Sequence, residues 1–385
     1  MIPYGRQEIT QADIDAVVGV LKTDFLTQGP FVPKFERCVA EYCGAKHAVA
    51  TNSATSALHI ACLALGLGDG DWLWTSPISF VASSNCGLYC GAQIDFIDID
   101  PKTYNLSPQS LELKLIQAEK KKRLPKIVIV VHLCGQSCDM ESIQKLSREY
   151  GFSIIEDASH AIGGKYLGKA IGKGQFSDIT IFSFHPVKII TTGEGGMAVS
   201  NNKQLADKMS LLRSHGITRD SQFMRRKSNK PWYYEQIDLG FNYRMTDIQA
   251  ALGISQIARL DQYIKRRHDI VLKYDKAFNS FPITLPYQHP DSYSSFHLYV
   301  IRLKSNATIP HQQLFEQLRT NGVNVNLHYI PIYTQPYYQD MGFKSSDYPN
   351  AEQYYKEALS LPIFPTLSGK EQNQVIKIVQ DALTQ

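Results

Sequence analysis

The chain has 385 residues, with 40 basic and 36 acidic side chains and a formal net charge of +4. That balance gives no case for a nucleic-acid or membrane partner, while a hydrophobic share of 43 % is enough for sizeable cores in a chain longer than one usual domain. No apolar run reaches the length of a membrane span, and the opening MIPYGRQEIT has no signal-peptide core, so a cytoplasmic protein is expected.

The seven cysteines, odd in number and mostly in apolar surroundings, read as reduced thiols. Cys86 with Cys90 and Cys134 with Cys138 have CxxxC spacing, but further ligands are not close by in sequence. No metal site is expected.

In chain order, Ile9, Ile14, Val17, Val18 and Leu21 recur at helical spacing and predict a helix over 8–21, with a second over 34–43. Between them the glycine and proline of Asp24–Pro30 mark a loop, a candidate substrate loop. A short apolar run at 47–50, the polar turn 51–55 and a helical stretch 56–67 follow. Strand, small-residue turn and helix together make a phosphate-site geometry. Strands are predicted at 94–99, 127–132, 153–157, 179–184 and 197–200, with a helix over 140–150. Several of these strands are continuous apolar runs, the mark of burial on both faces, so a mostly parallel α/β sheet flanked by helices is expected. Beyond about Leu260 the texture changes to long helices, tyrosine and proline, with one β-like run at 295–303. We therefore divide the chain into a large unit, 1–255, and a smaller C-terminal α+β unit, 256–385.

Chemistry concentrates in four segments. In DITIFSFHPVKIITTGEGG (178–196) an apolar strand delivers Ser183, His185 and Lys188 to a sheet edge, where a lysine of lowered pKa could form an imine with an aldehyde. Alone, Lys188 reads equally as a solvated loop lysine. In SIIEDASHAIG (153–163) a second strand ends in two carboxylates. By alternation Asp157 faces the rim and Glu156 the other side, with His160 placed one helical turn on. Asp157 could pair a pyridinium nitrogen or merely cap a helix. The third segment, Asn52–Leu58, offers small residues at a helix entry suited to phosphate, or an ordinary N-cap. The fourth, PISFVASSN (77–85), supplies Phe80 as a stacking plate or a core residue.

Taken in order, LTQGP, NSATSAL, SPISFVASSN, IIEDASHAIGG, FSFHPVK, GEGG, RSHG, GFNYRMTDIQAALG and HYIPIY resemble the sugar aminotransferases of the DegT/DnrJ/EryC1/StrS family over nearly the whole chain. The resemblance implies the pyridoxal 5'-phosphate (PLP)-dependent transferase fold type I. It also implies that Lys188 carries the cofactor, Asp157 pairs its ring nitrogen, Phe80 stacks on the ring and His160 touches its phenolic oxygen. Thr55, Ser56 and Ser183 would hold the phosphate. Asn242, in GFNYRM, would reach the phosphate in a neighbouring subunit, which implies a homodimer with shared sites.

The opening IPYGRQEIT with DFLTQGP, SATSALHIA and HYIPIY looks like the branch that aminates C4 of UDP-2-acetamido-2,6-dideoxy-β-L-arabino-hex-4-ulose with L-glutamate, toward pseudaminic acid or a related surface glycan. Substrate contacts are then expected from Tyr4, Asp24, Phe25, Leu26, Thr27, Thr55, Ser183, Asn242, Asn326, Leu327, His328 and Tyr329. A dTDP- or GDP-linked keto sugar is the alternative acceptor. A related sugar 3-dehydratase would carry histidine in place of Lys188, and a non-catalytic cofactor-binding regulator would not need the full residue set. The glycines of GLGDG (66–70) follow a helix and precede a strand, the reverse of a dinucleotide fingerprint, which excludes a nicotinamide dehydrogenase. Lys120–Arg123 reads as a solvated helix end. Arg219–Lys230 is a candidate contact for a UDP pyrophosphate.

Overall fold

A computed structural model of the chain describes residues 1–226 and 228–384; Lys227, inside the basic segment, and Gln385 lie outside them. Seven strands form one sheet: β1 (His47–Thr51), β2 (Trp72–Thr75), β3 (Gln93–Phe96), β4 (Ile127–Val131), β5 (Ser153–Asp157), β6 (Ile179–Ser183) and β7 (Gly196–Ser200). Their order across the sheet is β1-β7-β6-β5-β4-β2-β3. All neighbours run parallel except β7, which is antiparallel to both β1 and β6, so the sheet is mixed and mostly parallel. Every residue of β4, β6 and β7 is buried, because helices cover both faces.

Helices α1 (Gln11–Leu21), α2 (Phe31–Cys43) and α3 (Ala54–Ala64) differ at their starts from the sequence expectation, and each difference has a cap as its cause, while α4 (Ala82–Tyr89) is a further short helix. α1 begins three residues late because Thr10 and Asp13 bond reciprocally, with Thr10 N–H donating to Asp13 at 2.8 Å. α3 begins two residues early because Ser53 Oγ accepts the Ser56 N–H. α2 begins three residues early because the buried Asp247 carboxylate takes the Phe31 and Val32 N–H groups at 2.8 and 3.0 Å. The run predicted as a strand over 94–99 stops at Phe96, and Ile99 instead bridges Leu106. Asp98 turns the chain there and takes the Asn350 and Ala351 N–H groups.

After the long helix Leu260–Phe278, a three-stranded antiparallel sheet of β8 (Ile283–Thr284), β9 (Tyr299–Leu303) and β10 (Ala358–Leu361) carries a second core. The predicted β run 295–303 is strand only from Tyr299. Phe278, Tyr299, Leu314 and Val375 are fully buried there, each contributing roughly 1.5–3 kcal/mol. Ile2 joins this core through a parallel bridge to Val323, tying the N-terminal segment to the C-terminal third. All seven cysteines are free thiols. Among the described residues no helix is long and apolar enough to cross a membrane.

Candidate active site

A cavity of about 870 Å³ opens at the C-terminal ends of β4, β5 and β6, where an open α/β sheet presents its loops. β5 ends in Asp157, and its carboxylate is gripped on both oxygens. Ser83 Oγ, from α4, donates to Oδ2 at 2.7 Å, and the Ser159 hydroxyl and N–H donate to Oδ1 at 2.6 and 3.2 Å. Glu156 faces the other way, as alternation requires, and meets His132 Nε2 at 2.7 Å and the hydroxyls of Ser177 and Thr180. Burial pushes its carboxyl up, but the donors from His132, Ser177 and Thr180 outweigh this and leave it below the ordinary value. Glu156 is a structural anchor beside the site.

β6 ends at Ser183, and the turn that follows places Lys188 in the cavity, with its N–H donating to His185 O at 2.9 Å. The surrounding protein deprives the Lys188 ammonium of bulk solvent and lowers its pKa to about 8, with Asp157 opposing part of that shift. At neutral pH a useful fraction of the amine is therefore unprotonated and nucleophilic.

The phosphate end is built by α3. With Ser53 capping Ser56, the N–H groups of Ala54 and Thr55 at the first helical positions have no intrahelical acceptor, and both residues line the cavity. β7 must pass directly beneath this turn. A Cβ at Gly196 would lie 2.5 Å from the Ser53 carbonyl and the Ala54 nitrogen, so only glycine permits that approach.

His160 sits on a succession of tight turns rather than one helical turn beyond Asp157, since Ala161 N–H bonds back to Ala158 O. Its Nε2 lies 3.1 Å from the Tyr329 hydroxyl, and its Nδ1 is buried without a partner among the described residues. Burial, then Lys188 and His328, hold its pKa well below the histidine value. His328 is lowered to about 3 by burial and Lys188. These imidazoles are neutral at working pH. Phe80, at 60 % exposure, stands at the cavity with its centroid 6.4 Å from that of Tyr329, too open for a core residue and suited to stacking.

The structure thus brings Tyr4, Thr55, Ser56, Phe80, Asp157, His160, Ser183, Lys188 and Asn326–Tyr329 to one cavity. Asp24, Phe25, Leu26, Thr27 and Asn242 do not line it. Thr27 bridges Thr246 and Asn242 bridges Ser214, which leaves the Asn242 side chain exposed on the surface of its own chain. Arg225 and Arg226 are likewise off the cavity, with their N–H groups on Glu235. Sequence reasoning missed Glu194, Gln249 and His297 as site residues, which also line it. Glu194 lies within the quoted GEGG motif, whereas His297 had only a β-like run to mark it.

Lys188 is the one lysine among the described residues lining this cavity, and it shares the space with a doubly anchored carboxylate and an unsatisfied helix N-terminus. That combination, on this sheet, defines an aminotransferase of the PLP-dependent fold type I. The chain belongs to the DegT/DnrJ/EryC1/StrS aminotransferase family, which it matches over residues 7–380 and whose members use PLP. It is 40 % identical, over 100 % of this chain and 96 % of the relative, to the UDP-4-amino-4,6-dideoxy-N-acetyl-beta-L-altrosamine transaminase of Campylobacter jejuni. It is 38 % identical, over 99 % of this chain and 96 % of the relative, to the spore coat polysaccharide biosynthesis protein SpsC of Bacillus subtilis. Among solved structures, Helicobacter pylori PseC, an aminotransferase involved in the biosynthesis of pseudoaminic acid, superposes with a TM-score of 0.91 at 33 % identity, covering 100 % of this chain and 99 % of that one. A further structural relative has been solved in PLP and pyridoxamine phosphate forms.

The donor set fits this cofactor: an amine of lowered pKa for the aldehyde, a carboxylate for the ring nitrogen, free N–H groups and hydroxyls for the phosphate, and an aromatic plate for the ring.

Proposed function

We propose that this chain transfers the amino group of L-glutamate to C4 of UDP-2-acetamido-2,6-dideoxy-β-L-arabino-hex-4-ulose, giving a 4-amino sugar for pseudaminic acid or a related surface glycan. The observation that carries the reading is the meeting of Lys188, Asp157 and the α3 N-terminus in one cavity, in a chain similar along its length to an altrosamine transaminase.

In this reading Lys188 holds the cofactor aldehyde, Asp157 pairs the ring nitrogen and Phe80 covers the ring. Thr55, Ser56, Ser183 and the Ala54 and Thr55 N–H groups take the phosphate. PLP, when bound, supplies an electron sink for the carbon next to the migrating nitrogen. Lys188, once free, removes the proton from glutamate Cα, and in the second half-reaction it delivers a proton to sugar C4 from one face. That face sets the configuration of the new amine. Its pKa of about 8 suits both directions of transfer. Neutral His160, with Tyr329 at its Nε2, would meet the phenolic oxygen without adding charge.

The protein acts as a homodimer in the cytoplasm, with Asn242 reaching the partner's phosphate site and residues 24–27, Arg225 and Arg226 reaching the partner's sugar nucleotide. Supporting this are the exposed large apolar side chains Phe25, Leu26, Trp232 and Leu239 in or beside those segments. The division into 1–255 and 256–385 is supported by the separate core around β8–β10. Turnover of UDP-, dTDP- and GDP-linked 4-keto sugars, with NMR of the product amine, tests the assignment. A preference for a dTDP or GDP sugar, or amination at C3, rejects it.

A further inference from the structure

Arg267, on the helix Leu260–Phe278, is 1 % exposed, and the hydrogen-bond partners of its guanidinium among the described residues are carbonyls rather than carboxylates. Nη1 donates to Phe296 O at 3.0 Å, His297 O at 3.2 Å and Ile363 O at 3.1 Å, while Nε is buried without an acceptor. A buried cation without a counter-ion is costly, and an apolar side chain would avoid that cost. What the guanidinium obtains in exchange is a fixed fork joining two separate stretches of main chain.

Those stretches support two parts of the active-site lining. On one side His297 lines the cavity and places its ring centroid 4.3 Å from that of His160, while Ser295 Oγ donates to His160 O at 2.7 Å. On the other side the Ile363 N–H donates to Tyr4 O at 3.0 Å, and the Tyr4 ring lies 5.1 Å from that of His328. Tyr274, two turns along the same helix, adds a second hold on this stretch through Pro362 O at 2.9 Å.

We propose that Arg267 is a positioning residue of the active site: through the main chain of His297 and Ile363 it fixes how the His160–His297 pair and the Tyr4–His328 pair sit relative to each other beside the acceptor sugar. The placing of the sugar rests on the function proposed above. The contacts for the cofactor's aldehyde, ring nitrogen and phosphate are made by α3, by β5 and β6 and by the turn after β6, which Arg267 does not bond, so retention of the cofactor and binding of the sugar separate.

The test compares R267M and R267K with the unsubstituted enzyme. R267M is expected to keep bound cofactor and a near-normal glutamate half-reaction while its keto-sugar KM rises about tenfold, with R267K intermediate. Hydrogen–deuterium exchange should rise in peptides covering 1–8, 294–300 and 360–366 and stay unchanged in 50–60 and 180–190. Folded variants with unchanged KM and unchanged exchange overturn the proposal, as does a loss of cofactor, half-reaction and sugar binding in parallel. Should R267M fail to fold, R267K decides alone: unchanged KM and exchange overturn the proposal. An enzyme that prefers another keto-sugar nucleotide defeats only the substrate assignment, and the same comparison is then made with that sugar.

Discussion

Ser83 Oγ donates to Asp157 Oδ2 at 2.7 Å, from the first turn of α4 to the last residue of β5. With Ser159 on the other oxygen, the carboxylate is aimed before any cofactor arrives. Asp157→Ala should therefore lower kcat by about a thousandfold. Ser83→Ala, which removes one charge-assisted bond, should lower it by about tenfold. Steady-state kinetics at saturating cofactor measure both, and an unimpaired Asp157→Ala enzyme removes Asp157 from the mechanism.

The lowered pKa of Lys188 gives a pH signature. Only the neutral amine attacks the aldehyde, so the rate of cofactor uptake by apoprotein should rise with pH and level off above about 8. At pH 7 roughly a tenth of the amine is neutral, against about 0.03 % for an ordinary lysine. Because the folded value lies below the unfolded one, the unfolded chain holds more protons between pH 8 and 10.5, and apoprotein stability from this group rises across that window. Stopped-flow uptake with a midpoint near 10.5 contradicts the desolvated site.

The Glu156–His132 pair predicts a stability effect without a direct catalytic one. His132 Nδ1 accepts the Cys138 N–H at 3.1 Å, so Nε2 carries the hydrogen that Glu156 accepts. Glu156→Leu leaves that N–H buried and unpaired and takes an acceptor from the Ser177 and Thr180 hydroxyls, and should cost about 3–5 kcal/mol in urea unfolding. Glu156→Gln keeps an acceptor and should cost about 1–2 kcal/mol. Equal losses for the two would reject the hydrogen-bond account.

Much of this site was legible because its chemistry is local in sequence. Lys188 and Ser183 sit at the end of one apolar strand, Asp157 at the end of another, and alternation alone separated Asp157 from Glu156. The start of α2 was not legible, because its cap, Asp247, comes from 215 residues away. His297 and Arg267 were missed for the same reason: each matters through packing against distant main chain rather than through a motif. Asn242 and the individual contacts of residues 24–27 were read from family resemblance, although glycine and proline had already marked 24–30 as a loop, and one chain alone does not bring them to its cavity.

Asp247 holds the 24–30 loop as well, taking the Gly29 N–H at 2.6 Å. Asp247→Ala strips an acceptor from three main-chain donors and should destabilise the protein by about 2–4 kcal/mol. With the loop loosened, the sugar-nucleotide KM should rise more than the glutamate KM. Equal changes would remove the loop from substrate binding.

Shared sites predict complementation between inactive subunits. A refolded equimolar mixture of Lys188→Ala and Asn242→Ala chains contains heterodimers with one intact site, and should recover about a quarter of the unsubstituted activity by random pairing. Activity no greater than the sum of the separate variants would place each site within one chain.

The central claim is that Lys188 carries the cofactor, and borohydride reduction of the PLP-loaded protein followed by peptide mass spectrometry tests it most directly. The account predicts a phosphopyridoxyl mass on the peptide containing Lys188 and on no other. A label on another lysine, or an unmodified Lys188 in fully loaded protein, would contradict it.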